Sequence, residues 1–564
     1  MKILFLTHSF NSLTQRLFAE LTALGHEISV EFDIADSVSE EAVRLFQPDL
    51  ILAPFLKRAI PESIWRQHVC LIVHPGIVGD RGPSSLDWAI QNDEAEWGVT
   101  VLQAEAEMDA GPVWATATFP MRQAKKASLY RREVTDAALC AVKEALARFA
   151  RGEQPTALTA CSDVRGRLRP VMRQAHRRID WQHDDTQTML RRLNAADGFP
   201  GVADSLFDQP CHLFDAWPEG RLRGTPGEVI ARRETAVCRA TVDGAVWIGH
   251  VRRPDGFKLP TTLAFAAECV QVPEEPLENW FAADHVTWQD IRYEEAEGVG
   301  FLHVDFYNGA MGTRQCARLT EAFRFAAQRS TQAIVLMGGR DFWSNGIHLN
   351  LIENAASPAD ESWANINAID DLAEAILRCE THLTVAAIGA NAGAGGCFLA
   401  RACDQVWIRE GAILNPHYKN MGNLYGSEFW TYLLPQRVGA AGAVALMQHR
   451  LPMTADEAVR LGFYDAVLPS PTFRVDVARR AMELVAKDVS GQLEEKRQAR
   501  AADEAIKPLS VWRAEELAAM RRNFYGFDPS YHVARWHFVT KSPQSWTPRH
   551  LAQHRFVLNP TMLI

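Results

Sequence analysis

The sequence predicts a multidomain α/β protein, and three observations carry that prediction. Apolar strand-like runs alternate with helix-periodic segments over residues 1–155. A stretch rich in glycine, proline and short alternating runs follows at 156–272. In the second half, two apolar runs, Ala333–Met337 and Leu383–Ile388, each lead into a glycine-rich turn and then a helix-like segment. The turns are Gly338-Gly339-Arg340-Asp341-Phe342-Trp343-Ser344-Asn345-Gly346-Ile347 and Asn391-Ala392-Gly393-Ala394-Gly395-Gly396.

In the first part, Ile3–Thr7, Glu27–Phe32, Leu50–Ala53 and Val69–Val73 read as strands. Leu13–Leu24, which stops at Gly25, and Ser39–Phe46 have helical spacing. This alternation implies a parallel, doubly wound sheet, with ligands at the carboxyl ends of its strands. No Gly-x-Gly-x-x-Gly follows the first strand, so the dinucleotide fingerprint is missing. At one strand end lies Val73-His74-Pro75-Gly76-Ile77-Val78-Gly79-Asp80-Arg81-Gly82, and later Met108-Asp109-Ala110-Gly111. A histidine near neutral pKa passes protons, and a carboxylate beside it fixes its tautomer.

These two stretches resemble the formyltransferases that use 10-formyltetrahydrofolate. The resemblance implies that His74 and Asp109 are catalytic and that the loop Ala53–Pro61, with Phe55 and Leu56, faces the folate ring. It departs at Ile72, where the family has an asparagine; isoleucine cannot hydrogen-bond a formyl oxygen. Either another donor replaces it, or the acceptor is nucleophilic enough to need less help, as a thiolate is. Gln15 and Arg16, after the first strand, and Arg131, at the start of a long helix, are candidates for a folate glutamate tail or a nucleotide phosphate.

Residues 156–272 read as a small β-rich domain, as in Thr235–Val242 and Ala245–His250. It sits where the formyltransferase family carries an open β-barrel. Ile179-Asp180-Trp181 and Asp197-Gly198-Phe199-Pro200-Gly201 match that family's passage into it, and no chemistry rises above scaffold here. An acidic, proline-bearing linker follows at 273–284.

From 285 to 480 the two glycine-rich turns dominate, because glycine frees backbone N–H groups to face a ligand. Together they resemble the crotonase (enoyl-CoA hydratase/isomerase) family. The resemblance implies that the amides of Ile347 and Gly395 hold a thioester oxygen, each worth about 3–4 kcal/mol of barrier. Hydratases of that family also use two glutamates; here Phe398 and His417 stand in their places. Phenylalanine transfers no proton, so ordinary hydration is not expected. His417, Tyr418 and Glu428 are the nearby titratable candidates, while Phe429 and Trp430 read as core. Arg450, before the family-like helix Met453–Gly462, is a candidate for a coenzyme A phosphate. Residues 481–564 read as a charged helical extension, with a basic aromatic tail at Arg549–Phe556 that docks on the rest.

The joining of these halves resembles the HypX/HoxX family of nickel–iron hydrogenase maturation factors. That implies two ligands, 10-formyltetrahydrofolate and coenzyme A. It also implies formyl transfer between them at the first site and release of carbon monoxide from formyl-CoA at the second. The acylated arm is then expected to pass through an internal cavity. The gas would become an iron ligand, so the hydrogenase large-subunit precursor or other maturation proteins are the expected partners. Two other readings stay open: a formyl-folate hydrolase or a formyltransferase to another acceptor, and a non-catalytic scaffold that binds folate and coenzyme A.

Composition narrows the rest. A net charge of -10 argues against a nucleic-acid binder. The ten cysteines show no Cys-x-x-Cys or zinc spacing, which fits a reduced cytoplasm and no structural metal. No signal core or membrane-length apolar run is evident, so a cytoplasmic protein without a membrane segment is expected.

Overall fold

The structure is a computed structural model that describes residues 1–556. It divides into two compact units. The first comprises Met1–Gly256, Pro260–Glu274 and the segment from Pro543 onward; the second comprises Phe257–Leu259 and Glu275–Ser542.

The first unit is built on a six-stranded sheet of order β2-β1-β3-β4-β5-β6. Its strands are β1 (Lys2–Thr7), β2 (Glu27–Phe32), β3 (Leu50–Ala53), β4 (Cys70–His74), β5 (Glu96–Gln103) and β6 (Val113–Pro120). The first four run parallel, and the central β1 and β3 are apolar on both faces, as strands covered on both sides require. Helix α1 (Ser12–Ala23) starts where the Asn11 side chain accepts from the Thr14 N–H at 3.0 Å. Helix α2 (Asp36–Phe46) packs on β1 and β2.

The expected wholly parallel sheet is corrected at its far side, where β5 runs antiparallel to both β4 and β6. The nine residues between β5 and β6 are too few for a crossover, so a hairpin forms. The chain leaves β4 through a loop and the short helix Ser85–Gln91, and re-enters from the opposite end. The strand order reverses between β1 and β3, which opens a crevice at the carboxyl ends of the parallel strands.

A second, antiparallel sheet follows in the order β7-β8-β11-β10-β9. It comprises β7 (Val202–Leu206), β8 (Gln209–Glu219), β9 (Val229–Arg233), β10 (Ala236–Ala240) and β11 (Ala245–Arg252). Helix Thr186–Ala196 buries Met189, Leu190 and Leu193 in the same core.

The tail of the chain belongs to this unit and covers the edge strand β2. The Val30 N–H donates to the Leu551 carbonyl at 3.0 Å, and the Phe32 N–H to the Thr547 hydroxyl oxygen at 2.9 Å. Buried Glu31 meets His554 Nε2 at 2.9 Å and Arg555 Nη2 at 2.6 Å. Burial alone would raise the Glu31 pKa, but the bonds from His554, Thr547 and Arg555 outweigh it and hold the carboxyl below its ordinary value. An edge that would otherwise invite foreign strands is thereby closed.

The second unit has its own six-stranded sheet. Ile291–Ala296 and Val299–Val304 form a hairpin; Ala333–Met337, Leu383–Ile388, Gln405–Arg409 and Ala466–Leu468 continue it in parallel. A small three-stranded sheet joins Ala392–Gly393, Ile413–Asn415 and Met453–Thr454. Helices Thr313–Ala326 and Pro358–Leu377 pack together against the core. Helices Phe473–Val485, Val489–Ile506, Leu509–Tyr525 and Ser530–Thr540 complete the unit.

Candidate active sites

In the first unit, His74 ends β4, and its ring is buried. Its two nitrogens face two carboxylates. Nε2 lies 3.1 Å from Asp80 Oδ2, and Nδ1 lies 3.7 Å from Asp109 Oδ2. Asp109 adopts a left-handed backbone, φ 57°, and its Oδ2 accepts from the Gly82 N–H at 3.1 Å. Asp80 accepts from Arg169 Nε at 2.7 Å and from the Ser85 hydroxyl. The Arg169 guanidinium in turn lies over the Trp97 ring, 5.0 Å from its centroid. Gly76 is obligatory here: a Cβ would lie 2.5 Å from His74 Nε2 and 2.6 Å from Asp80 Oδ2, wedged between the pair.

The sequence reading named one carboxylate for His74 and missed Asp80. Its signal was present, since Gly79-Asp80-Arg81-Gly82 stands in the same loop, but spacing alone gave no reason to prefer it. Ile72 sits on β4 between Ala53 and Leu102 of its neighbours. Phe55 and Leu56 are half-buried in the loop after β3. The Phe55 carbonyl accepts from the His8 N–H at 2.6 Å and the Thr7 hydroxyl at 3.1 Å, so the end of β1 holds that loop.

Gln15 lies on α1, where its Nε2 donates to the Phe10 carbonyl at 2.9 Å. Arg16 is buried and its guanidinium is paired with Glu20 at 2.8 Å. Arg131 lies in the wide helical turn Tyr130–Val134 that precedes helix Thr135–Ala150. That turn meets the start of α1, where Asn11 Nδ2 donates to the Tyr130 hydroxyl at 3.3 Å.

In the second unit, the two glycine-rich turns come together. The Trp343 N–H donates to the Asn391 carbonyl and the Gly393 N–H to the Ser344 carbonyl, each at 2.9 Å. Gly346 has φ +75°, and a Cβ there would lie 3.3 Å from the Gly395 nitrogen. The amides of Ile347 and Gly395 are thus brought to one place, with Gly395 opening helix Gly395–Arg401. Among the described residues neither N–H donates to a backbone acceptor in the turns and loops.

Glu428 enters the same place. A Cβ on Gly395 would lie 2.0 Å from Glu428 Oε1. The other oxygen, Oε2, accepts from the Tyr418 hydroxyl at 2.5 Å. Both residues are buried. Burial and then the nearby Asp370 carboxylate push the Glu428 pKa up to about 8. Burial and the same Glu428 charge raise the Tyr418 phenol well above its ordinary value. Phe398, fully buried, stacks on the Tyr418 ring. His417 is buried at the end of the strand Ile413–Asn415. Phe429 lies in the core and Trp430 packs against it, as the sequence implied. Exposed Arg450 donates to Asn423 Oδ1 at 3.0 Å.

Sequence reasoning missed two further carboxylates beside Glu428. Asp370 comes from helix Pro358–Leu377 and Glu516 from helix Leu509–Tyr525. Burial raises Asp370 to about 6 and Glu516 to about 8. Periodicity held the clue, since Asp370 shares a buried stripe with Ile366, Ile369, Ala373 and Ile376. Among the described residues, no group of three or more His, Cys, Asp or Glu is arranged to hold a metal ion. No helix among them is long and apolar enough to cross a membrane.

Comparison with known proteins follows the same division. The formyl transferase family matches residues 31–146, its C-terminal domain matches 172–266, and the enoyl-CoA hydratase/isomerase family matches 307–528. Over 98% of its length the chain is 54% identical to the hydrogenase maturation factor HoxX of Bradyrhizobium diazoefficiens, of which it covers 97%. It is 26% identical to a methionyl-tRNA formyltransferase of Trichlorobacter lovleyi over 40% of this chain and 71% of that one. The crystal structure of HypX from Aquifex aeolicus in complex with tetrahydrofolic acid superposes with a TM-score of 0.96. The two are 49% identical, covering 98% of this chain and 99% of that one.

Proposed function

The chain belongs to the HypX/HoxX family of hydrogenase maturation factors, and from that premise we infer that it makes carbon monoxide in two steps. A formyl group moves from 10-formyltetrahydrofolate to the thiol of coenzyme A in the first unit. The formyl thioester then loses carbon monoxide in the second, for the active-site iron of a nickel–iron hydrogenase. One observation carries this reading: the Glu428 carboxyl lies against Gly395 and is bonded to Tyr418, while Phe398 fills the place of a hydratase glutamate.

In the first step His74 relays a proton between the incoming thiol and the departing folate nitrogen. Asp80 and Asp109 hold its ring from both sides and stabilise the imidazolium as it forms. Phe55 and Leu56 present the loop that meets the pterin. Gln15, Arg16 and Arg131 are the candidates for the glutamate tail or a phosphate, Arg16 the weakest because Glu20 already holds it. Arg450 is the candidate for a phosphate at the second site.

In the second step the Ile347 and Gly395 amides hold the formyl oxygen. Ionised Glu428 takes the formyl proton as the C–H bond breaks. The C–S bond breaks with its electron pair on sulfur, and carbon monoxide leaves. Tyr418 protonates the sulfur and recovers a proton from Glu428, so the net change is one proton moved from carbon to sulfur. His417 is the remaining titratable candidate for this relay. Phe398 and its neighbours keep water out, which matters because hydrolysis to formate competes.

The test supplies carbon-labelled 10-formyltetrahydrofolate and coenzyme A to purified protein and traps the gas on a haem protein. Labelled carbon monoxide, dependent on coenzyme A, is expected. Formate as sole product would leave a formyl-folate hydrolase, and a formylated amine would leave a transferase to another acceptor. Maturation that survives His74→Ala with Asp109→Asn would leave a non-catalytic scaffold.

A further inference from the structure

We propose that Asp370 and Glu516 are positioning residues that hold the turn Ser427–Thr431 in a conformation aiming Glu428 between Gly395 and Tyr418. This rests on the two-step reading above and adds how its second site is kept in shape.

The turn is strained. Glu428 and Phe429 are consecutive residues with φ 58° and 59°, a left-handed backbone that non-glycine residues adopt only at a cost. Such a conformation persists only where its surroundings over-determine it. Here two helices do so through carboxylates. Asp370 Oδ1 accepts from the Glu428 N–H at 2.9 Å, and the Ser427 hydroxyl lies 2.8 and 2.7 Å from its two oxygens. Glu516 accepts from the Phe429 N–H at 2.9 Å, the Thr431 N–H at 2.7 Å and the Thr431 hydroxyl at 2.5 Å. The two N–H groups of the left-handed pair are therefore each taken by a carboxylate from a different helix.

The aim is equally constrained. Gly395 has no side chain, and the space a Cβ would occupy is filled by the Glu428 carboxyl. The Ser427 hydroxyl also lies 3.3 Å from Glu516 Oε2, and its single hydrogen cannot serve both acids. Three buried carboxyls around one turn resist ionising together, so Asp370 and Glu516 also set how readily Glu428 gives up its proton. The titratable and charged groups facing this cluster are Tyr418 and Glu428 from the turn side, Asp370 and Asp371 from one helix, Glu516 and Arg513 from another, and the buried thiols of Cys316 and Cys397. Arg513 pairs with Asp371 at 2.7 Å and Glu374 at 3.0 Å, and its charge lowers Asp370 without overcoming the effect of burial.

The experiment supplies synthetic formyl-CoA, which bypasses the first site, and measures carbon monoxide release against pH. Asp370→Ala and Glu516→Ala are expected to lower kcat by about ten-fold or more with KM unchanged, since a misaimed acid–base residue loses rate. Asp370→Asn and Glu516→Gln keep the acceptor oxygen. They are expected to restore kcat to within about three-fold and to move the pH midpoint of the rate downward by roughly one unit, as one like charge is removed. Alanine variants with unchanged kcat and pH midpoint overturn the proposal. Should the alanine variants not fold, an unmoved midpoint in Asp370→Asn and Glu516→Gln overturns it. A wild-type protein that releases no gas from formyl-CoA sinks the two-step reading itself, and the proposal with it.

Discussion

The Phe398 ring lies stacked on the Tyr418 ring, with centroids 5.5 Å apart and planes inclined by 17°. Phe398 gives the phenol a flat apolar wall that fixes where its hydroxyl points, and on the proposed reading it stands where a hydratase carries a proton donor. The hydroxyl points at Glu428, 2.5 Å away.

Tyr418→Phe keeps the stack and removes only the hydroxyl. It is expected to cut carbon monoxide release by roughly 10²–10⁴-fold, the usual worth of a positioned acid or base. Formyl-CoA should then accumulate from labelled folate, read by mass spectrometry of the coenzyme A pool.

His74→Ala is expected to show the reverse split. Transfer from 10-formyltetrahydrofolate should fall by about 10²-fold or more, while release from added formyl-CoA stays at the wild-type rate. Equal loss of both activities would contradict the division of labour between the two units.

On the proposed reading, Phe398→Glu puts a hydratase-like acid in a place lined by aromatic rings and close to raised-pKa acids. Loss of the stacked ring and burial of a further acid should destabilise the fold by roughly 3 kcal/mol, read as a lowered Tm. The remaining activity should shift from carbon monoxide toward formate, because water enters.

The pH dependence has a definite sign. In the proposed second step Glu428 must be ionised to take the formyl proton, and its pKa is raised to about 8. Carbon monoxide release should therefore climb from pH 6 toward a plateau above about 8. Stability should run the other way. An acid whose pKa is higher folded than unfolded binds more protons in the fold, so stability falls as pH rises between its ordinary value of 4.5 and about 8. Glu428→Gln should flatten both curves, read by initial rates and by denaturant titrations at each pH.

Gly346→Ala tests the meeting of the two turns. With φ +75° and the Gly395 nitrogen 3.3 Å from the new methyl group, it should cost about 1–2 kcal/mol. It should also lower kcat more than it raises KM, because the amides would no longer converge.

Much of this was legible in the chain because it is local. The alternation of strands and helices, the glycines before Ile347 and at Gly395, and the His74 loop are all sequence-near signals. The left-handed backbone at Asp109, Glu428 and Phe429 was not legible, since none of these is a glycine and tertiary bonds impose the conformation. Asp80 shared its loop with His74 yet could not be ranked above Asp109 without the distance between them. Asp370 and Glu516 lie 57 and 89 residues from Ser427 along the chain, so no spacing rule could bring them to one hydroxyl. The antiparallel turn of β5 depends on a short connection whose direction the apolar pattern does not encode.

The bond between Ser29 and His554 spans 525 residues. A ribosome therefore releases the first sheet long before it makes the residues that close that sheet's edge. Until then Glu31 waits without the partners that His554 and Arg555 later supply. Nascent chains of this protein should thus need an escort over β2 that finished molecules do not, and a premature stop just upstream of Thr547 should yield aggregates even though every catalytic candidate has been translated.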